Sequence, residues 1–380
     1  MRSARELELL QLVHARPGVT RAQAATALSA SSGTITGLVR KLSEARLLDD
    51  EPGDRSGARG RPTRKLVPHA DGPLVLVGVV SHESWTLSVN QLGGMVIATE
   101  RHKRGVVDGA VLVRELAASA RALAARYPGR VRGTGLALPG VVRGSVLVDA
   151  PLLSWRSLDL SPVAPREPSA SGANHVFVVG NDATLTALGE AVRGAATSAE
   201  LHLHLYLDAG LGGALTHRGV VVPGAGGLGG EFGHMPFGEP TAACPCGAVG
   251  CWTTAVGALP LARALSEPLP ADAVSYARRV VERARQGDTA AHEAVTRVAA
   301  SLGRGIAGLV NGLDIDFITL GGWATDVAQL TPDAIGHAYI GGLMRFRRAD
   351  PPPIVAGMLG SDAPREGAAE QVWAELWALL

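Results

Sequence analysis

Gly229-Gly230-Glu231-Phe232-Gly233-His234 is followed, ten positions beyond its histidine, by Cys244-Pro245-Cys246-Gly247-Ala248-Val249-Gly250-Cys251, which holds all three cysteines of the 380-residue chain. Three thiolates and one imidazole are the donor set that tetrahedral zinc prefers in a closed structural site, and Gly and Pro at this spacing let one loop wrap the ion. His234, Cys244, Cys246 and Cys251 are therefore expected to hold one structural zinc per chain. Buried or disulfide-bonded cysteines are the competing reading; an odd count without a secretory signal weighs against it. Glu231 lies three residues before the histidine, in a glycine-rich segment where backbone approaches a ligand closely.

Outward from this stretch, composition bounds the rest. The length allows two or three domains, and 46% apolar residues supply a large core. No run of eighteen apolar residues is present, and Met1-Arg2-Ser3-Ala4-Arg5-Glu6 leads into an amphipathic pattern, so a cytoplasmic protein with no membrane partner is expected. The formal net charge is +1, unevenly placed: residues 1–65 carry twelve Lys or Arg against seven Asp or Glu, and the remainder twenty-four against twenty-eight. The head is basic and the body is not.

In the head, Leu7, Leu10 and Val13 recur at helical spacing until Pro17-Gly18. Thr20 and Gln23 form a capping-box pair before a short helix over 21–28, and a third helix runs from Ser31 to about Glu44 with Ile35, Leu38, Val39 and Leu42 on its buried side. Two short helices around a tight turn predict a helix-turn-helix, with Ser31, Ser32, Thr34, Thr36, Arg40 and Lys41 as candidate DNA contacts. Capping and a solvated helix face are the plainer reading of the same residues. A hairpin from Leu47-Leu48 to Leu66-Val67 reads as a wing whose tip carries Arg55, Arg59, Arg61, Arg64 and Lys65, suited to phosphate or minor-groove contact.

From Leu74 the pattern turns to strands: 74–80, 85–89 and 95–98, then a similar layout at 201–207, 213–216 and 220–222. Two such blocks suggest a duplicated α/β body. Asn181 and Asp182 close an apolar strand just before a helical segment, where ligand groups gather. N-capping by these two, and a plain turn carboxylate at Glu231, remain the structural alternative.

The Glu231-Phe232-Gly233-His234 element, the Cys-x-Cys-x4-Cys loop and Gly60-Arg61-Pro62 together resemble the ROK family of repressors and sugar kinases, over nearly the whole chain. The resemblance implies an α/β protein with an N-terminal winged helix-turn-helix and a two-lobed, actin-like, sugar-kinase-like body with a structural zinc site. It implies residues 1–70 as the DNA-binding head, 71–192 as the first lobe joined by a C-terminal helix at about 365–380, and 193–364 as the second lobe with the zinc loop and an oligomerisation surface. It makes Asn181, Asp182, Glu231 and His234 sugar contacts, with Asp182 at the position of the kinases' general base, and His234 both sugar contact and zinc ligand.

The kinase parts depart from that pattern. Where family kinases carry Asp-x-Gly-Gly-Thr, this chain has Ser81-His82-Glu83-Ser84; Asp208 replaces the first glycine of the second loop, and Trp323 follows Gly321-Gly322 where adenosine would lie. Phosphoryl transfer needs a loop that cradles phosphates, so no catalytic residue is expected to operate. Thr253 stands in place of a sugar-binding Glu, and Ser32 in place of a frequent Arg in the recognition turn. The expected function is a DNA-binding transcriptional regulator, a repressor, answering to a sugar or sugar derivative, with a roughly palindromic double-stranded operator and a homodimer or homotetramer. An autoregulating sugar kinase and a ligand-independent regulator with a vestigial sugar site are the alternatives.

Overall fold

The computed structural model describes residues 2–52, 64–81, 84–103, 105, 108–150, 153–165, 175–268 and 272–380. Helix α1 (Ala4–Ala15) opens on a capping box: Ser3 accepts from the Glu6 amide and Glu6 from the Ser3 amide. After β1 (Val19–Thr20), Thr20 and Gln23 repeat the device at the start of α2 (Arg21–Ala27). Helix α3 (Ser32–Glu44), capped by Ser31, buries Ile35, Leu38, Val39 and Leu42 against Leu9, Leu10 and Val13 of α1. Strands β2 (Leu48–Pro52) and β3 (Arg64–Pro68) pair antiparallel from Leu48↔Pro68 to Pro52↔Arg64, and β1 adds to the free edge of β3.

Strands β4 (Leu74–Val80), β5 (Ser84–Gln91) and β6 (Val96–Lys103) form an antiparallel meander. Helix α4 (Gly109–Ala125) then returns the chain to β7 (Val131–Leu138), parallel to β4. A small sheet of β8 (Val141–Arg143), β9 (Val146–Ala150) and β10 (Trp155–Asp159) precedes β11 (Val176–Asn181), which lies parallel to β7. Helix α5 (Asp182–Val192) leads on to a second meander, β12 (Leu201–Leu207), β13 (Leu211–His217) and β14 (Val220–Val221).

Helices α6 (Thr253–Val256), α7 (Ala258–Leu265), α8 (Ala273–Arg285) and α9 (Thr289–Leu313) follow, then β15 (Phe317–Gly322), α10 (Ala324–Leu330), α11 (Pro332–Gly342) and β16 (Ile354–Ala356). In both five-stranded mixed sheets the meander is extended from its first strand by two parallel strands: β11-β7-β4-β5-β6 and β14-β13-β12-β15-β16. The last helix, α12 (Ala363–Leu376), packs back against α5, β4, β7 and β11.

Strand β12 alternates Leu203, Leu205 and Leu207, which face Val295, Val298, Leu302 and Ile306 of α9, with His202, His204 and Tyr206. Each such aliphatic contributes about 1.5–3 kcal/mol on burial. Thr319 of β15 bonds both imidazoles, at 2.6 Å to His202 and 2.7 Å to His204. Burial pushes His202 down to about 4 and His204 to about 3, so both are neutral.

One face of the first sheet packs on Leu112 and Leu116 of α4. The other face, with Val75 and Val77, shares one continuous core with Leu185, Val372 and Trp373 and with Leu9, Leu10 and Leu42 of the head. Among the described residues, no helix is long and apolar enough to cross a membrane.

Candidate functional site

The zinc expectation rests on a turn that Gly247 makes possible. Its left-handed φ of +93° closes a hairpin in which the Gly247 amide donates to Cys244 O at 3.0 Å and the Cys244 amide to Ala248 O at 2.9 Å. Cys244 Sγ lies 3.7 Å from His234 Nδ1, Cys246 Sγ lies 3.7 Å from Cys251 Sγ, and all four ligand atoms fall within 4.8 Å of one another. Zinc–sulfur bonds of about 2.3 Å in a tetrahedron set sulfur–sulfur edges of roughly 3.8 Å, so the donor set fits a single metal ion. Burial, reinforced by the neighbouring thiols, pushes the Cys251 thiol up to about 12, while the Ala248 backbone and the neighbouring sulfurs hold Cys246 below the usual thiol range.

The same histidine turns its other nitrogen toward Glu231, with His234 Nε2 3.9 Å from Glu231 Oε2, and neither His234 nor Asp182 is among the residues that line the cavity beside Glu231. The glycines beside Glu231 let this loop lie flat on β13: a Cβ on Gly230 would meet the Gly213 carbonyl oxygen, and one on Gly233 that of Leu211. Glu231 and Asn181 line one cavity of about 430 Å³, which also reaches Gln371 and Glu375 of α12. Asn181 is at the same time the N-cap of α5, accepting from the Thr184 amide at 3.1 Å, and its Nδ2 donates to Gly140 O at 3.0 Å. The capping reading and the cleft position thus hold together for this residue. Asp182 accepts from the Ala183 amide at 2.9 Å. Burial and the nearby Asp208 carboxylate push it up to about 7.

On the opposite side, Trp323 is buried and its indole Nε1 donates to the Asp208 carbonyl at 2.8 Å, filling the turn after β15 and closing on the loop 208–213. In that loop the Leu211 amide donates to Thr253 Oγ1 at 3.2 Å. The threonine is therefore bonded to the glycine loop. The β4–β5 turn is held by Ser81 Oγ, which donates to Ser84 O at 2.9 Å and accepts from the Ser84 amide at 3.2 Å. His82 and Glu83 lie outside the described residues. Trp252 is fully buried and packs on Phe237 at a ring separation of 5.6 Å, a core role.

Ser31, Ser32, Thr34, Thr36, Arg40 and Lys41 are all exposed. Ser31 caps α3 and pairs with Thr34 Oγ1 at 2.9 Å, and Thr36 Oγ1 donates to Ser32 O at 2.9 Å. Lys41 reaches Glu6 of α1 at 3.1 Å, and Arg64 reaches Asp50 at 3.0 Å, so both cations have intramolecular partners. Arg55, Arg59 and Arg61 lie outside the described residues.

Sequence reasoning missed a buried cluster that joins the two ends of the chain. His14 Nε2 meets Glu370 at 3.0 and 3.1 Å, Arg193 Nε donates to Glu370 Oε1 at 2.6 Å, and Arg193 also donates to His14 O at 2.8 Å. The Gly93 amide donates to His14 Nδ1 at 2.9 Å, and Arg193 Nη2 lies 2.7 Å from His14 Nε2, so the imidazole is held by Arg193 and Glu370 together. Trp373 and Trp377 flank the imidazole at 5.5 and 5.1 Å. Burial works upward on Glu370, but the His14 hydrogen bond and the Arg193 charge hold its carboxyl below the usual range. A carboxylate three residues before Trp373 on a helix was the available signal; its partner, 356 positions away, had none.

Residues 97–375 match the sequence model of the ROK family, and the chain belongs to that family. A glucokinase of Halalkalibacterium halodurans is 31% identical over 205 residues, covering 50% of this chain and 61% of that enzyme. A xylose repressor of Caldicellulosiruptor bescii is 25% identical over 221 residues, 54% of each chain. The chain thus spans little more than half the length of these curated relatives. Among solved structures, a ROK family transcriptional regulator, a homolog of the E. coli MLC protein, superposes with a TM-score of 0.75 at 21% identity over 98% of this chain and 97% of that one, a likeness of fold.

Proposed function

We propose that the protein is a sequence-specific DNA-binding transcriptional regulator, a repressor, that responds to a sugar or sugar derivative. The observation that carries this reading is the His14–Glu370–Arg193 cluster, which ties the basic head to the helix whose next residue, Gln371, lines the cleft cavity. In this reading α2 and α3 are a helix-turn-helix and β2–β3 its wing. On the outer face of α3, Gly37 leaves open space beside Thr36 and Arg40, which suits close approach to a duplex. Arg64, with Arg55, Arg59 and Arg61, would neutralise phosphates from the wing.

Two heads on a symmetric homodimer or homotetramer would read a roughly palindromic operator in the cytoplasm. The sugar would meet Asn181, Asp182, Glu231 and His234. His234, Cys244, Cys246 and Cys251 would hold one zinc, which supplies a fixed charge and fixes the imidazole that faces Glu231. A ligand that favours one arrangement of α12 over another shifts DNA affinity through Glu370 and His14; one with no preference shifts nothing. Trp323 against the Asp208 loop, and the glycine-free β4–β5 turn, argue against a triphosphate on the other side of the cleft. A second reading, an autoregulating sugar kinase, draws on Asp182 at about 7, a pKa suited to a general base.

Selection of bound duplexes from a random pool, followed by fluorescence anisotropy, tests the choice. The expected outcome is an enriched motif with two-fold symmetry, affinity that falls steeply with salt, and roughly tenfold weaker binding for Arg40→Ala. No enriched sequence, together with sugar-dependent ATP hydrolysis that Asp182→Asn abolishes, would put the kinase reading in its place.

A further inference from the structure

The cavity that Asn181 and Glu231 share has a charge pattern that restricts its ligand. Among the described residues lining it there is no Lys, Arg or His, while Glu231 and Glu375 both face it. Phosphates and carboxylates are recognised by cations or by free helix N-termini. The N-terminus of α5 lies at this cavity, but the Thr184 amide is taken by Asn181 and the Ala183 amide by Asp182. An anionic ligand here would meet two carboxylates and no cation among the described lining residues, a like-charge arrangement that weakens its binding relative to a neutral or cationic one.

Aliphatic side chains make up a continuous part of the remaining wall, beside a run of glycines. Val141, Val142, Val178, Leu185, Val221 and Leu228 line the cavity, and its volume of about 430 Å³ lies in the ~300–1,000 Å³ range of sites that enclose drug-sized ligands. A polyol alone satisfies Asn181, Gln371 and the two carboxylates through its hydroxyls but leaves this wall in contact with water. Resting on the sugar-sensor reading above, we propose that the effector is a neutral or cationic sugar derivative with an apolar substituent, such as an aryl or alkyl glycoside or an amino sugar bearing one. Its ring hydroxyls donate to Glu231 and Glu375, and its substituent lies along the valines. Sugar phosphates and uronic acids are disfavoured.

Calorimetric titration of the full zinc-containing chain tests this with matched compounds in the gluco, galacto and manno series: the parent sugar, its phenyl glycoside, the 2-amino sugar, the uronate and the 6-phosphate. In the series that binds, the phenyl glycoside should bind at least tenfold tighter than the parent, the amino sugar at least as tightly, and the two acids at least tenfold more weakly. Val178→Thr, equal in volume, should shrink the phenyl advantage several-fold, and Glu375→Lys, at an exposed position, should recover binding of the 6-phosphate. An acid that binds as well as the parent, or a phenyl glycoside no tighter than it, overturns the ligand class and leaves the sensor reading standing. No heat from any compound overturns the sensor reading and this inference with it.

Discussion

His234 divides its ring between two neighbours: Nδ1 faces the Cys244 sulfur and Nε2 faces the Glu231 carboxylate. A metal on Nδ1 fixes the tautomer and leaves Nε2–H as a donor toward Glu231. Loss of one thiolate should therefore be felt in both places. Cys246→Ser protein should fall from about one zinc per chain to well below it by metal analysis, with a lower Tm and several-fold weaker sugar binding; full metal content and an unchanged Tm would refute the site. This site was legible because its ligands lie within eighteen positions of one another and their chemistry is distinctive. Lys41 was legible only as a cation on a helix, since its partner Glu6 sits on another element. Thr253 was read from sequence as a lost sugar contact, and the bond it accepts from Leu211 depends on how the cysteine loop folds over β13.

Helices α5 and α12 cross at glycines. A Cβ on Gly367 would run into the Leu185 carbonyl oxygen, and one on Gly189 would lie 2.6 Å from that of Ala363. Backbone contact this close leaves no side chain to yield, so Gly367→Ala should destabilise the protein by about 1–3 kcal/mol in urea denaturation. Because Leu185 also lines the cavity, the same change should alter sugar affinity; an unchanged denaturation midpoint would show that the crossing relaxes freely. The meander strands were legible as apolar runs bounded by turns. The C-terminal helix joined to the first lobe came from the family resemblance alone: α12 buries Gly367, Ala368, Ala369, Glu370, Val372, Trp373 and Leu376, and a helix packed on several sides has no clear polar face to announce its partners.

Across the whole molecule, the His14–Glu370–Arg193 cluster makes head and body one mechanical unit. Removing the carboxylate leaves Arg193 without its anion in a largely buried position, so Glu370→Ala should cost about 3–5 kcal/mol, and Glu370→Gln less. In the regulator reading, Glu370→Gln should also blunt the effect of sugar on DNA binding while leaving sugar binding itself within a few-fold. The folded carboxyl is held below the usual glutamate value, so its stabilisation is present above about pH 4.3 and is lost as the pH falls through its lower folded value. Acid titration of Tm should show this slope in the wild type and a shallower one in Glu370→Gln.

The order of manufacture gives this arrangement a further meaning. Synthesis releases α1 first, yet Leu9, Leu10 and Leu42 share their core with Val372 and Trp373, and His14 has its carboxylate only once Glu370 has emerged. A nascent or prematurely terminated chain holds a head with part of its apolar surface open to solvent and its histidine without the carboxylate. The core that the head shares with the body is thereby completed only once α12 has been made, so unfinished chains expose apolar surface to proteases and to aggregation.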